Sequence, residues 1–237
     1  MKVGNNVDDG IKKLYSRISK LNGLVNGLQF TDSSFGEPRL SSINTGGRVK
    51  TIFGEDFKVI SNLRVSDHNL NSVIQLIEEA RITRINGVLI ILGDKPKYGS
   101  AIKSVSSVQT LTWLRKIGVN HTKLYLAHSF SSSKDNLEKK LSAEPDGIIT
   151  QPVPSLEALY NLLDVIKPEK IDLIASVFVP SKKNELILSR IRFDWTEYHD
   201  QVVEFTKQVL SETNKILISS PNDFNAGVSL IKEVTAR

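Results

Sequence analysis

Asn86–Gly99 reads NGVLIILGDKPKYG, and this stretch decides the fold. A turn at Asn86-Gly87 leads into five apolar residues, Val88 to Leu92, which stop at Gly93-Asp94. An apolar run this short, closed by a glycine and an acid, reads as a strand buried on both faces and ending in an exposed loop. Asp94 then stands at the carboxyl end of a central strand, where parallel α/β folds place their chemistry. Gly-Asp also serves as a plain turn, and this stretch alone does not separate the two readings.

The rest of the chain repeats the pattern. Val7–Leu21 has apolar residues at Ile11, Leu14, Ile18 and Leu21, with Asp8 and Asp9 early and Lys20 late, the spacing and charge order of a helix. Asn22-Gly23 stops it. Leu24–Phe30 predicts a strand, Ser33–Gly47 a loop with one helical turn after Pro38, Phe57–Leu63 the next strand and Asn69–Ile82 a helix. Beyond the organising strand, helices are expected from about Ser104 to Ile117, over Asn136–Leu141, over Pro154–Ile166 and over Phe224–Val234. A further helical stretch, Leu186–Val209, is interrupted near Asp194. Strands are expected over Lys123–Ala127, Gly147–Thr150, Ile171–Val179 and Ile216–Ile218.

Strand, loop and helix alternate with no composition break, so residues 1–237 read as one α/β domain with a parallel sheet and right-handed crossovers. Seven buried strands favour a TIM (β/α)8 barrel with its first strand truncated or missing. A flavodoxin-like or Rossmann sheet is the alternative, although neither GxGxxG nor GxxxxGK[ST] is present. Met1-Lys2-Val3 either forms a stub of the eighth strand or leaves the barrel incomplete. An incomplete barrel has open strand edges, which invite a homo-oligomer or a partner subunit.

Composition narrows the function classes. The net charge of +5 comes from 31 basic and 26 acidic residues spread along the chain, which gives no nucleic-acid footprint but suits a phosphate-bearing ligand. The absence of Cys excludes disulfides and thiolate metal sites and fits a reducing cytosol. No apolar run approaches the ~18–20 residues of a membrane span. The expectation is a soluble, cytoplasmic protein with no membrane partner.

In a barrel the strand ends collect Thr31-Asp32, Asn62 with Arg64, Asp94, His128, Gln151, Pro180 and Asn222 on one rim. An acid, an amide and a histidine around a common mouth make a reasonable ligand site, while each residue singly also serves as a cap or turn former. His68, His121, His128 and His199 show no metal-ligand spacing, so no metal site is expected. No GxSxG supports a nucleophile triad. Asn136, Lys139 and Lys140, on a helix after a Ser-rich loop, could hold a pyrophosphate or ribose, or simply form a solvated face.

Three segments carry a resemblance: LIILGDKPKYG, NLEKKLSAEPDG with GIITQPVPS after it, and GLQFTDSSFGEPRLSSI. Together they resemble the methylenetetrahydrofolate reductases, over about Val7 to Ile218. The resemblance implies a (β/α)8 barrel that binds FAD, takes electrons from NADH or NADPH, and reduces methylenetetrahydrofolate to the methyl form in one-carbon metabolism and methionine biosynthesis. Carried over by position, it implies Asp94 as the acid near flavin and pterin and Gln151 as the folate contact. It implies Asn136, Lys139 and Lys140 on the FAD diphosphate and ribose, and Leu92, Thr31, Asn62 and His128 around the flavin. Two departures stand out. The family's general-acid Glu, on the first strand before a Pro-Pro pair, has no counterpart, because no acid precedes Asp8. Asn62 stands where many members have His. An inactive folate- or flavin-binding barrel, a subunit of a larger complex, and a pterin-dependent (corrinoid) methyltransferase barrel are the alternatives.

Overall fold

The computed structural model describes residues 7–102, 106–166 and 170–236. The chain divides into two compact units, Met1–Leu126 with Lys134–Asp146, and Ala127–Ser133 with Gly147–Arg237. The α/β class and the parallel pairing expected from the sequence are both present.

The first unit opens with α1 (Val7–Leu21), β1 (Gly27–Phe30), α2 (Ser42–Phe53) and β2 (Lys58–Arg64). It continues with α3 (Leu70–Ile82), β3 (Gly87–Ile91), α4 (Ser107–Lys116), β4 (Lys123–His128, through Leu126) and α5 (Lys134–Leu141). The strands β1 to β4 pair in chain order, with Gln29 opposite Ile60, Asn62 opposite Leu89, and Leu89 opposite Tyr125. Because side chains alternate along a strand, Gln29, Ile60, Asn62, Arg64, Leu89 and Tyr125 share one face. Val59, Ser61 and Leu63 take the opposite face, where α2 packs. There Ser61 Oγ donates to the Ser42 carbonyl at 3.0 Å, and Ser42 Oγ donates to the Asn62 carbonyl at 2.5 Å.

Helix α2 corrects the expectation of a loop over Ser33–Gly47. Gly46-Gly47 reads as a breaker, but here it allows close packing. A Cβ on Gly46 would lie 2.8 Å from Ser61 Oγ and from Val59 Cγ1, and one on Gly47 would lie 2.7 Å from Thr83 Cβ. The helix starts because Ser41 Oγ accepts the Asn44 N–H, and it ends at Gly54, which has φ +90°.

The second unit holds β5 (Gly147–Pro152), α6 (Leu156–Leu163), β6 (Asp172–Phe178) and α7 (Lys182–Ile191). It ends with α8 (Val202–Thr213), β7 (Ile216–Ser219) and α9 (Phe224–Thr235). Its core includes Phe178, Trp195 and the stacked pair Tyr198 and Phe205, whose rings lie 4.2 Å apart at 7°. The Tyr198 hydroxyl donates to the Phe178 carbonyl at 3.0 Å, and burial pushes its phenol far above the ordinary tyrosine range. The break expected near Asp194 falls between α7 and α8. Arg192 turns left-handed at φ +51° there, and Asp194 accepts the Thr196 N–H at 2.9 Å.

Seven strands lie among the described residues, and an eighth is not shown. Met1-Lys2-Val3, the expected stub, and Ser104, the expected start of the helix observed as α4, lie outside those residues. Among the described residues no helix is long and apolar enough to cross a membrane.

Candidate functional site

In the first unit the loops after β1, β2 and β3 are tied together by one buried cation. Arg64 ends β2 with its side chain only 1% exposed. A cation this deep is costly unless it is paired and hydrogen-bonded. Its Nη1 donates to the Ser33 carbonyl, just past β1, and its Nη2 donates to the Asp94 carbonyl, just past β3. The compensating charge is Asp67, in the short 3-10 turn Val65–Asp67. Arg64 Nη2 reaches Asp67 Oδ1 at 3.3 Å, while Nε lies 3.0 Å from Oδ2 without pointing its N–H along that line. The Nε contact is therefore one of charge rather than of hydrogen bonding.

Two glycines make room for this arrangement. Gly93 has φ +87°, and a Cβ there would sit 2.6 Å from Arg64 Nε. Gly36 has φ +71°, and a Cβ there would run into the Lys95 carbonyl. Between them the 33–36 loop is strained: Ser33 (φ 36°) and Phe35 (φ 59°) are non-glycine residues in the left-handed region. The strain is held by Asp94 Oδ2 accepting the Phe35 N–H at 2.7 Å, by Gly36 accepting the Lys97 N–H at 3.0 Å, and by the Lys97–Glu37 ion pair at 2.9 Å. Backbone strain of this kind collects at functional sites.

Asp32 precedes this strained loop. Burial pushes its carboxyl above the ordinary aspartate value of 3.8, and Asp67 adds to the rise. A hydrogen bond from Ser33 Oγ at 3.0 Å, and the charges of Arg64 and His68, pull in the other direction but do not win. The result is a carboxyl that keeps its proton to higher pH than a solvated aspartate, the property wanted in a general acid or base. On the shared strand face, Gln29 Nε2 donates to Asn62 Oδ1 at 2.7 Å, which fixes how the buried Asn62 presents its amide.

The sequence-predicted residues distribute as follows. Thr31 follows β1 and is exposed, Asn62 is buried on β2, and Leu92 follows β3 with 55% exposure. Asp94 is two residues further on and turns its carboxylate onto the Phe35 amide. Asn136 and Lys139 are exposed on α5, whereas Lys140 is half-buried and desolvation lowers its ammonium below the usual lysine range. In the second unit, His128 ends β4 buried and edge-on to Phe130, with centroids 5.6 Å apart. Gln151 is exposed at an irregularity of β5. The register slips there between Ile149 and Pro152, and Thr150 Oγ1 takes the Ser176 N–H at 2.9 Å. A bulge of this kind re-aims a side chain.

Two residues carry more than sequence reasoning gave them. Arg64 and Asp32 are visible at strand ends, but neither the clamp nor the raised carboxyl is. An arginine closing a buried strand, with an acid three residues later, is the signal that was there to find. Asn184, at 0% exposure in the second unit, was missed altogether. Its Nδ2 donates to the Val179 carbonyl at 2.9 Å and to Ser220 Oγ at 3.0 Å, and its Oδ1 accepts the Asn222 N–H at 3.0 Å. It ties the loops after β6 and β7, with only its first-turn place on α7 to betray it. Among the described residues no group of three or more His, Asp or Glu side chains is placed to hold a metal ion.

No protein-family model matches the chain, and no curated protein matches it in sequence. Solved structures do match in fold. One is 2,3-dimethylmalate lyase, a PEP mutase/isocitrate lyase superfamily member, with a TM-score of 0.51 at 12% identity, covering 84% of this chain and 77% of that one. Another is oxaloacetate acetylhydrolase in complex with 3,3-difluorooxalacetate, with a TM-score of 0.50 at 11% identity, covering 92% and 84%. The same enzyme in complex with the product oxalate gives a TM-score of 0.51 at 12% identity, covering 93% and 85%.

These likenesses overturn the resemblance to methylenetetrahydrofolate reductases. With it go the flavin-dependent reductase, the oxidoreductase class, FAD, the nicotinamide donor, the folate, and the one-carbon and methionine roles, together with the inactive-barrel and methyltransferase alternatives. The motifs that carried the resemblance have local physical causes. Gly93-Asp94 is shaped by Arg64 and the Phe35 amide, and Thr150-Gln151 by the slip in β5. The fold is that of an α/β protein similar to the 2,3-dimethylmalate lyase and oxaloacetate acetylhydrolase structures.

Proposed function

We propose that this chain is a lyase-type enzyme that breaks a carbon–carbon bond in a small 2-hydroxy- or 2-oxo-carboxylate, with Asp32 as the proton carrier. The seven β/α repeats are read as a (β/α)8-type barrel short of one strand, working in the cytoplasm. The observation that carries the proposal is the Asp32 carboxyl just past the carboxyl end of β1, whose proton affinity burial raises above the ordinary aspartate value. The fold likeness to a dimethylmalate lyase and an oxaloacetate acetylhydrolase supplies the substrate class.

For a 2-hydroxy acid, or for the gem-diol that water forms at C2 of a 2-oxo acid, the Asp32 carboxylate takes a hydroxyl proton. The O–H electron pair forms the C2 carbonyl, of a 2-oxo acid in the first case and of a carboxylic acid in the second. The C2–C3 bond breaks, and its electrons pass to C3 as an enolate delocalised into the neighbouring carboxylate. A proton on C3 completes the second product. Asp32 needs a shifted proton affinity for this task, and groups of this kind supply roughly 10²- to 10⁴-fold in rate. Asn62, oriented by Gln29 on the same strand face, would offer its amide to developing charge on oxygen. Asp94 keeps the Asp32 loop in place through the Phe35 amide.

The test incubates the full chain with 2,3-dimethylmalate, oxaloacetate and smaller 2-hydroxy acids and follows cleavage by NMR. Cleavage in the wild type that falls roughly 10²- to 10⁴-fold in Asp32→Asn is the expected outcome. Cleavage of none of them, or full activity in Asp32→Asn, would reject the reading.

A further inference from the structure

Arg64 poses an electrostatic difficulty for the residue it holds. A guanidinium fastened to the Ser33 carbonyl, one residue from Asp32, favours the ionised form of that carboxyl. Asp67 bonds the same guanidinium at Nη2, and its charge acts on Asp32 in the opposite sense. We propose that Arg64 and Asp67 act together as a positioning pair of opposed charge, in which Arg64 fixes the Asp32 loop through the Ser33 carbonyl while Asp67 offsets part of its field, so that Asp32 can still carry and release a proton.

The geometry gives each half a separate task. Arg64 supplies the mechanical link: one guanidinium edge spans the loops after β1 and β3, and Gly93 clears the volume it needs. A neutral side chain of similar length has fewer donors for these carbonyls, and lysine lacks the planar fork that reaches two of them at once. Asp67 adds no tie to either loop. Its contacts are to Arg64 and, at 3.4 Å, to Ser66 Oγ in its own turn. What Asp67 contributes at Asp32 is charge. The groups that act on Asp32 are Ser33, Arg64, His68 and Asp67, and of these only Asp67 adds to the push that burial, the largest cause, gives the carboxyl toward its proton.

This inference deepens the proposed use of Asp32 and is separable from it, because its readout needs no substrate. The full chain, labelled with ¹³C at Asp side-chain carboxyl carbons, is titrated by NMR as wild type, Asp67→Asn, His68→Gln and Arg64→Gln. Asp67→Asn keeps the size and an acceptor oxygen while removing the charge, so the Asp32 midpoint is expected to move down. Arg64→Gln is expected to move it up. His68→Gln also removes a cation and moves it up, without touching the clamp. Opposite shifts from the two halves of one ion pair are something a merely structural role would not produce. An Asp32 midpoint unchanged or raised in Asp67→Asn overturns the inference, and that arm stands alone if Arg64→Gln does not fold. A wild-type midpoint at or below the ordinary aspartate value counts against Asp32 as proton carrier, whatever direction the variants move it.

Discussion

Asp94 and Phe35, 59 residues apart in the chain, are joined by a hydrogen bond of 2.7 Å from the Phe35 N–H to the Asp94 carboxylate. The bond spans the loops after β1 and β3 and helps to hold Phe35 in a left-handed conformation that an aromatic residue rarely adopts. Asp94→Ala is expected to cost about 0.5–1.5 kcal/mol, the ordinary net worth of such a bond. The sharper readout is local: amide exchange at Phe35 should accelerate more than exchange in the strands. Unchanged exchange at Phe35 would remove Asp94 from this role.

Asp32 gives the protein a signed pH dependence. Its carboxyl is raised, so the folded chain keeps the proton to higher pH than the unfolded chain does. That contribution to stability is complete below the ordinary value of 3.8 and is lost as pH rises through the folded value. Asp32→Asn should therefore remove part of the acid-side gain and leave the protein at least as stable as wild type at neutral pH, while turnover falls. Urea midpoints collected from acid to neutral pH check it, and a variant less stable than wild type at neutral pH would contradict it.

Gly46→Ala tests the contact between α2 and β2. Alanine favours a helix over glycine by about 1 kcal/mol. Here its Cβ would meet Ser61 Oγ and Val59 Cγ1 at 2.8 Å. Overpacking of this kind costs about 1–3 kcal/mol, so a net loss is expected. A gain in the urea midpoint would show that the helix can move away at no cost.

The same glycine shows where sequence reading stopped. Period and punctuation were enough for the parallel alternation, because buried strands such as Val88–Ile91 and striped helices such as Val7–Leu21 each announce themselves locally. Helix α2 did not, since Gly46-Gly47 is a breaker in isolation and becomes a close-packing device only once β2 and α3 are beside it. The candidate site was legible as positions and illegible as chemistry. Asp32, Arg64 and Asp94 lie at readable strand ends, but the bonds that link their loops depend on those loops folding onto one another. Short motifs shaped by those bonds, Gly93-Asp94 above all, imitated an unrelated family.

Asn184 plays in the second unit the part that Arg64 plays in the first, but with a neutral amide. Asn184→Ala would strand the Val179 carbonyl and the Asn222 N–H. Leaving buried polar groups unpaired costs about 1–3 kcal/mol, measurable by chemical denaturation. Asn184→Asp should do no better, because it places a carboxylate against the Val179 carbonyl. Full stability in either variant would mean that the loops after β6 and β7 do not depend on it.

Gly93 and Arg64 occupy one shared volume, and that has a consequence for descent. A side chain at 93 can be accepted only where position 64 has already become smaller, and a smaller residue at 64 gives up the bridge to Ser33 and Asp94. The two positions therefore behave as a single heritable character. Swapping residue 64 alone opens a gap beside Gly93, whereas swapping residue 93 alone meets a wall. Any lineage that leaves this arrangement has to pass through the first change before the second.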